Sequence, residues 1–293
     1  MSTLRAATRS SALARWQTDR VAALLGAAHP GLEVEPVLVV TAGDRDQTSP
    51  IHRLGGQGVF VKEVQAAVLD GRADIAVHSA KDLPSTPTDG LHIAAVPERG
   101  DVRDALVGCR FDALPREATV ATGSVRRRSQ LAWARPDLAF AELRGNIGTR
   151  LAKAPRFDAI VVAAAALDRL GQSPAVCDRL ATDVMLPQVA QGALAVECRV
   201  DDEHTLDLLH RIEDVVARRQ VDAERAFLAE LGGGCEIPAG ALAAVDGESV
   251  RVTGMLATTD GTELLRDTLT GAGAEVGAAV ARRLLERGGH RFS

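Results

Sequence analysis

The sequence predicts an α/β protein: two similar α/β domains, then a small C-terminal α+β domain with a three-stranded antiparallel sheet. Three observations carry that prediction. In the first third of the chain, short apolar runs alternate with stretches of helical period, an order that implies parallel strand pairing. A later stretch echoes the first. Val120-Ala121-Thr122-Gly123-Ser124 with Leu131-Ala132-Trp133 repeats the sense of Ala7-Thr8-Arg9-Ser10 with Leu13-Ala14-Arg15-Trp16, and residues 156–162 repeat that of 72–78. Beyond residue 239, strand-like segments alternate with Asp-Gly turns, as in an antiparallel meander.

Taken in order, residues 4–8 read as a short strand. After Arg9-Ser10-Ser11 comes a helix with Leu13, Trp16, Val21 and Leu24 on one face and Gly26 near its end. Residues 32–40 form a second strand. Residues 42–58 carry four glycines and no periodicity, the mark of a long mobile loop, either a functional lid or a disordered segment. A helix over 59–70 stops at Gly71, and a buried strand over 73–78 leads into Ser79-Ala80-Lys81-Asp82. The pattern breaks near residues 95–100, a crossover to the second domain, and residues 185–190 read as the return. A strand over 192–199 rejoins the first domain, and a long helical stretch spans 202–231. Strands at 239–245, 249–257 and 262–270 turn at Asp246-Gly247 and Asp260-Gly261, before a final helix at 275–287. The domains expected are therefore 1–96 with 190–212, then 97–189, then 213–293.

Composition narrows the function. The 293 residues are 46% hydrophobic and 25% charged, ordinary for a globular protein. No apolar run reaches the roughly 18 residues of a membrane span. The opening residues lack a signal-peptide layout, so a cytoplasmic protein is expected. A net charge of −5 argues against nucleic acid. Nothing marks an obligate interface, so a monomer is expected. Cys109, Cys177, Cys198 and Cys235 form no C-x-x-C pair, and the seven histidines show no metal-ligand spacing, so neither zinc nor a disulfide framework is expected. Lys62, Lys81 and Lys153 are the only lysines among 34 basic residues. Arginine holds carboxylates in a bidentate grip that lysine cannot match.

Several stretches could carry chemistry. Leu231-Gly232-Gly233-Gly234-Cys235 sets a thiol on a glycine loop that lets a ligand approach the backbone closely, or else caps a helix ahead of a small buried cysteine. Arg9-Ser10-Ser11, Thr122-Gly123-Ser124-Val125-Arg126-Arg127-Arg128 and Arg144-Gly145-Asn146-Ile147-Gly148-Thr149-Arg150 place hydroxyls and arginines at helix N-termini. Free N–H groups there favour anions, although helix capping with solvated arginines explains any one of them. Lys81-Asp82 follows a buried strand at the end where α/β folds bind ligands; a surface ion pair is its plainer reading. His78 is the one histidine near that site, and reads as a satisfied core residue. No dinucleotide loop or P-loop matches.

Together these residues identify a resemblance. Residues 7–14, Arg72-Ala73-Asp74-Ile75-Ala76-Val77-His78-Ser79-Ala80-Lys81-Asp82, residues 143–151, Gln191-Gly192-Ala193 and Gly233-Gly234-Cys235 resemble the porphobilinogen deaminase (hydroxymethylbilane synthase) family over nearly the whole chain. The resemblance implies that the first two domains are like a type II periplasmic binding protein. It implies a dipyrromethane cofactor joined by a thioether to Cys235, onto which four porphobilinogen molecules are added with loss of ammonia before hydrolytic release. By the family pattern Asp82 is catalytic and also cofactor-binding. Lys81, Thr122, Ser124, Arg126, Arg127, Arg144, Gly145 and Arg150 bind cofactor carboxylates, while Arg9, Ser11 and Arg169 bind substrate. The 42–58 loop corresponds to a lid. Gln57 replaces a common lysine, Gly123 a serine and Ala190 a glycine. The alternative is a non-catalytic small-anion-binding protein on the same type of fold, in which Cys235 is structural.

Overall fold

The structure, a computed structural model, describes residues 2–45, 58, 60–233 and 237–292. The expectations at Gln57 and Cys235, and most of those for the 42–58 loop, lie outside the described residues. The chain divides into two compact units, Met1–Gly100 with Ala193–Arg218 and Asp101–Gly192 with Arg219–Ser293. It begins in the first with β1 (Ser2–Arg9), α1 (Ala12–Ala28), β2 (Leu32–Val39), α2 (Ala42–Arg45), α3 (Lys62–Leu69), β3 (Ile75–Ser79) and β4 (Leu91–Ala95). The second receives β5 (Asp104–Val107), β6 (Thr119–Ala121), α4 (Val125–Ala134), β7 (Ala139–Ala141), α5 (Ile147–Lys153), β8 (Ala159–Ala163), α6 (Ala164–Arg169) and β9 (Cys177–Arg179). The chain then returns for β10 (Leu194–Arg199) and α7 (Glu203–His210). It continues through α8 (Val215–Glu230) to β11 (Ala239–Asp246), β12 (Ser249–Ala257), β13 (Leu264–Ala272) and α9 (Glu275–Glu286).

The two larger sheets share one plan. Their orders are β2-β1-β3-β10-β4 and β7-β6-β8-β5-β9. In each, the second strand listed is parallel to both neighbours, and the fourth is antiparallel to both of its own. The echo read in the sequence is therefore topological: β6 stands where β1 stands, and β8 where β3 stands. Each sheet takes its antiparallel strand, β10 or β5, from just after a crossing of the chain. The third sheet is the expected meander, β11-β12-β13, with turns at Gly247 (φ +55) and Gly261 (φ +74).

The apolar residues of β3 serve two faces. Ile75 and Val77 pack with Leu4, Val21 and Leu25, while Ala76 packs on the other side with Val39, Val64 and Val68. A strand covered on both sides reads as a continuous apolar run. The face of α1 differs from expectation. Its buried residues are Ala14, Gln17, Thr18, Val21 and Leu25, and it runs past Gly26 to Ala28. Two polar side chains can be buried because both are satisfied: Gln17 Nε2 donates to Ser79 Oγ at 2.7 Å, and Thr18 Oγ1 to Ala14 O at 3.2 Å.

Two other expectations change. Residues 42–45 form a helical turn rather than loop, held by Asp44 Oδ2, which accepts from Thr41 Oγ1 at 2.8 Å. The helical stretch at 202–231 is two helices. Asp202 caps the first, accepting from Thr205 N at 3.0 Å; Asp214 caps the second, accepting from Ala217 N at 2.7 Å. The backbone N–H of Asp214 donates to Val96 O at 2.9 Å, so the second helix starts where the chain is pinned beside the end of β4.

Of the residues expected as a third domain, 213–293, those from 219 onward carry their own sheet and helix and group with residues 101–192, while 213–218 group with the first unit. Ala241 N donates to Pro187 O at 3.2 Å, and Arg266 Nη2 to Thr182 O at 2.6 Å. Within this group a Cβ on Gly277 would lie 1.8 Å from Ala223 O, so only glycine lets α9 lie this close to α8.

Candidate active site

β1 and β3 are parallel neighbours, so their C-terminal ends meet at one edge of the first sheet, where α/β folds place ligands. A solvent-open pocket lies there, and Arg9, Ser11, Gln17, Phe60, His78 and Asp82 are among its lining residues. Three of the expected site residues, Arg9, Ser11 and Asp82, thus come together. Arg9, the last residue of β1, is held on two sides. Its Nε lies 3.1 Å from Asp44 Oδ2, its Nη2 bonds Asp44 Oδ1, and its guanidinium sits 4.2 Å from the Phe60 ring centroid. Burial works to raise the Asp44 carboxyl, but bonds from Arg9 and Thr41 outweigh it and hold the group below the usual carboxylate range. Ser11 caps α1, its Oγ accepting from Ala14 N at 3.3 Å, which leaves the hydroxyl proton to donate. Lys81 and Asp82 occupy a 3₁₀ turn, Ala80–Asp82, anchored by Ala80 N donating to Ala193 O at 3.1 Å.

The second sheet repeats the arrangement. β6 and β7 are parallel neighbours, and the loops leaving them touch: a Cβ on Gly123 would lie 3.0 Å from Leu143 O. Ser124 caps α4, its Oγ accepting from Arg127 N at 3.4 Å, and Thr122 Oγ1 accepts from Ser124 N at 3.2 Å. On the neighbouring loop Arg150 Nε donates to Gly145 O at 2.7 Å and Lys153 Nζ to Arg144 O at 3.0 Å. Gly145 has φ +116, and a Cβ there would meet Thr149 Cγ2 at 2.7 Å, so the turn admits no side chain. Thr122, Ser124, Arg144, Gly145 and Arg150 therefore share one sheet edge, a cationic, hydroxyl-bearing donor set that fits the carboxylates of a dipyrromethane.

Arg126 and Arg127 lie differently. They are 3% and 6% exposed, and both pair with Asp104, which is fully buried. Arg126 Nη2 reaches Asp104 Oδ2 at 2.7 Å and its Nη1 donates to Leu186 O at 2.6 Å; its Nε is buried without a hydrogen-bond partner. Arg127 binds Asp104 Oδ1 through Nε at 2.9 Å and Nη2 at 2.7 Å, and Val161 O through Nη1 at 3.1 Å. Gln191 Nε2 adds a bond to Asp104 Oδ1 at 3.0 Å. Burial alone would raise the Asp104 carboxyl, yet the two guanidiniums hold it down at about 2. Arg169, at the end of α6, donates to Gly192 O at 2.6 Å, and burial pushes its guanidinium down to about 10.

Sequence reasoning missed Gln17, Phe60 and Asp104. Asp104 had a signal, an acid leading the apolar run Ala105-Leu106-Val107; Phe60 had none. Cys109, Cys177 and Cys198 are free thiols. Cys198 is buried 3.4 Å from His92 Nε2, and burial pushes its thiol up to about 11, which suits an inert core residue. Among the described residues no group of acids, histidines and cysteines could hold a metal. Ala190 has φ +59, a left-handed conformation that a glycine adopts without strain.

Comparison with known proteins gives the family. A family model described as "Porphobilinogen deaminase, dipyromethane cofactor binding domain" matches residues 4–207, and one for the porphobilinogen deaminase C-terminal domain matches 219–286. The porphobilinogen deaminase of Roseiflexus sp. (strain RS-1) is 45% identical over 98% of this chain and 97% of its own length. That of Syntrophotalea carbinolica is 44% identical over 99% and 95%. With the sequence motifs, two matched sheets and a C-terminal meander all in place, the chain belongs to the porphobilinogen deaminase family.

Proposed function

We propose that the chain converts porphobilinogen into linear hydroxymethylbilane, joining four substrate molecules head to tail with loss of ammonia and releasing the product by hydrolysis. A dipyrromethane held as a thioether by Cys235 supplies, when bound, the nucleophilic pyrrole carbon from which the oligomer grows. The observation that carries the reading is the pocket in which Arg9, Ser11 and Asp82 converge. Family membership disfavours the non-catalytic anion binder.

Each residue has a role set by its chemistry. Arg9, pinned by Asp44 and Phe60, presents a fixed cation to a substrate carboxylate, and Ser11 adds a hydroxyl donor. Arg169 holds a second substrate carboxylate. Asp82 faces the pyrrole N–H groups and stabilises positive charge as it develops on the ring, acting through electrostatics in a sheltered site. Lys81, Thr122, Ser124, Arg144, Gly145 and Arg150 bind cofactor carboxylates. Arg126 and Arg127 take part with N–H groups that Asp104 leaves uncommitted, since a guanidinium has five. Three domains, a monomeric state, a cytoplasmic location and no nucleic-acid partner complete the proposal. Among the described residues no helix is long and apolar enough to cross a membrane.

Intact-protein mass spectrometry tests the tether. Protein from cells able to make porphobilinogen is expected to carry the added mass of a dipyrromethane, and Cys235→Ala to carry none and be inactive. A bare chain mass in wild-type protein counts against the proposal. Asp82→Ala is expected to lose nearly all turnover with the cofactor mass retained; wild-type rates would remove the acid from the chemistry.

A further inference from the structure

We infer that His78, oriented by Glu197, is the base that takes the ring-carbon proton displaced as each new carbon–carbon bond forms, a role that rests on the activity proposed above. β3 and β10 are antiparallel neighbours, with His78 opposite Ala195 and Ala76 opposite Glu197. His78 and Glu197 are thus diagonal partners on one face of the sheet, within reach of long side chains. They are 5% and 4% exposed. His78 Nε2 lies 3.0 Å from Glu197 Oε2, but off the line of an aligned hydrogen bond. The carboxylate is fixed by Gln65 Nε2, which donates to its two oxygens at 3.1 and 2.9 Å. Gln65 Oε1 in turn accepts from Thr88 Oγ1 at 3.1 Å, which settles the orientation of the amide.

His78 does more than fill the core. Here Nε2 faces an acid and the ring lines the same pocket as Asp82. The negative charge of Glu197 3.0 Å from Nε2 electrostatically favours the tautomer protonated there, with the basic lone pair on Nδ1. Other charges near the imidazole are Asp82, from the turn after β3, and Arg9, from β1, itself paired with Asp44. From the α3 side come Gln65, Val61 and Val64, none of them charged.

The electron count closes without a redox partner. Ammonia leaves the aminomethyl carbon of porphobilinogen with the bonding pair. The α-carbon of the acceptor ring then bonds to that carbon through its π electrons, which leaves the ring positive with a surplus α-proton. Breaking this C–H bond returns its pair to the ring and transfers the proton to His78 Nδ1. Glu197 stabilises the resulting imidazolium, which passes its proton to water. Asp82 steadies the ring nitrogens meanwhile, so the two side chains have separate tasks.

The test compares cofactor-loaded wild type, His78→Asn, His78→Gln and Glu197→Gln, with loading checked by intact mass. Each is assayed on porphobilinogen and on porphobilinogen deuterated at the free α-carbon. Both His78 variants are expected to keep the cofactor mass and lose about 100-fold in kcat, the scale of general-base catalysis. They should show a primary isotope effect larger than that of wild type, because proton removal becomes the slow step, and recover rate when imidazole is added. Glu197→Gln should keep the cofactor mass, lower kcat and raise the isotope effect, since the imidazolium formed on proton removal loses its counter-charge. Wild-type kcat in His78→Asn, or a loss with neither isotope effect nor rescue, overturns the role of His78. If the His78 variants fail to fold, wild-type kcat and an unchanged isotope effect in Glu197→Gln overturn it instead. Wild-type protein inert toward porphobilinogen overturns the underlying activity as well, which separates the two failures.

Discussion

Asp104 shows what a single residue can decide. It is one acid against two guanidiniums, all buried. Replacing it with asparagine removes the counter-charge from Arg126 and Arg127, and breaking a buried pair from one side costs on the order of 3–5 kcal/mol. Asp104→Asn is expected to melt well below wild type. Because its carboxyl is held down at about 2, Asp104 stabilises the fold fully above the unfolded value, near 4, and that contribution is lost as pH falls toward 2. Urea unfolding at pH 6 and pH 3 should show the acid loss in wild type and a smaller one in the variant. Arg9 makes a different case. Arg9→Lys keeps the charge but gives up the two-point grip on Asp44 and the flat contact with Phe60. A charge-assisted contact is worth about 1.5–3 kcal/mol, so KM for porphobilinogen should rise roughly 10- to 100-fold with kcat less affected.

Among the elements, the loops leaving the parallel strands bear the function, and their shape depends on backbone conformation. Gly145→Ala puts a methyl group at φ +116 against Thr149. Strain of about 1–3 kcal/mol there displaces Arg144 and Arg150, so the fraction of protein carrying cofactor mass should fall and the melting temperature should drop by a few degrees. Ala190 is the converse, an alanine already at φ +59 with its N–H donating to Glu224 Oε2 at 2.7 Å. A left-handed alanine costs about 1–2 kcal/mol, and glycine returns part of that gain as unfolded-chain entropy. Ala190→Gly should therefore stabilise by at most about 1 kcal/mol in chemical denaturation. A marked loss of stability would contradict this account.

For the molecule as a whole, residues 219–293 group with residues 101–192. Their sheet takes Pro187 O and Thr182 O as partners, and Gly240 is closely packed beneath Leu186 O, where a Cβ would approach to 3.0 Å. Deleting residues 219–293 should therefore abolish the cooperative melting of residues 101–192 rather than leave them intact. Differential scanning calorimetry of the shortened chain decides, because a separable C-terminal module would leave that transition in place.

The doubled α/β plan, the C-terminal meander and most elements of the first sheet were legible in the sequence. They depend on local periodicity, on turn residues and on parallel strands ending together. The turn at 42–45, the break between α7 and α8 and the short strands β4, β5, β7 and β9 were not legible. Tertiary structure alone decided the rest. The buried face of α1 shifts to include Gln17 and Thr18 because Ser79 and the Ala14 carbonyl satisfy them. Arg126 and Arg127 face inward because Asp104, more than twenty residues earlier, waits there. His78 lies beside Glu197 only because β10 returns from far along the chain to pair with β3. Burying a charge is unfavourable without a partner, and that partner comes from a distant strand, so spacing along the chain could not reveal these pairings.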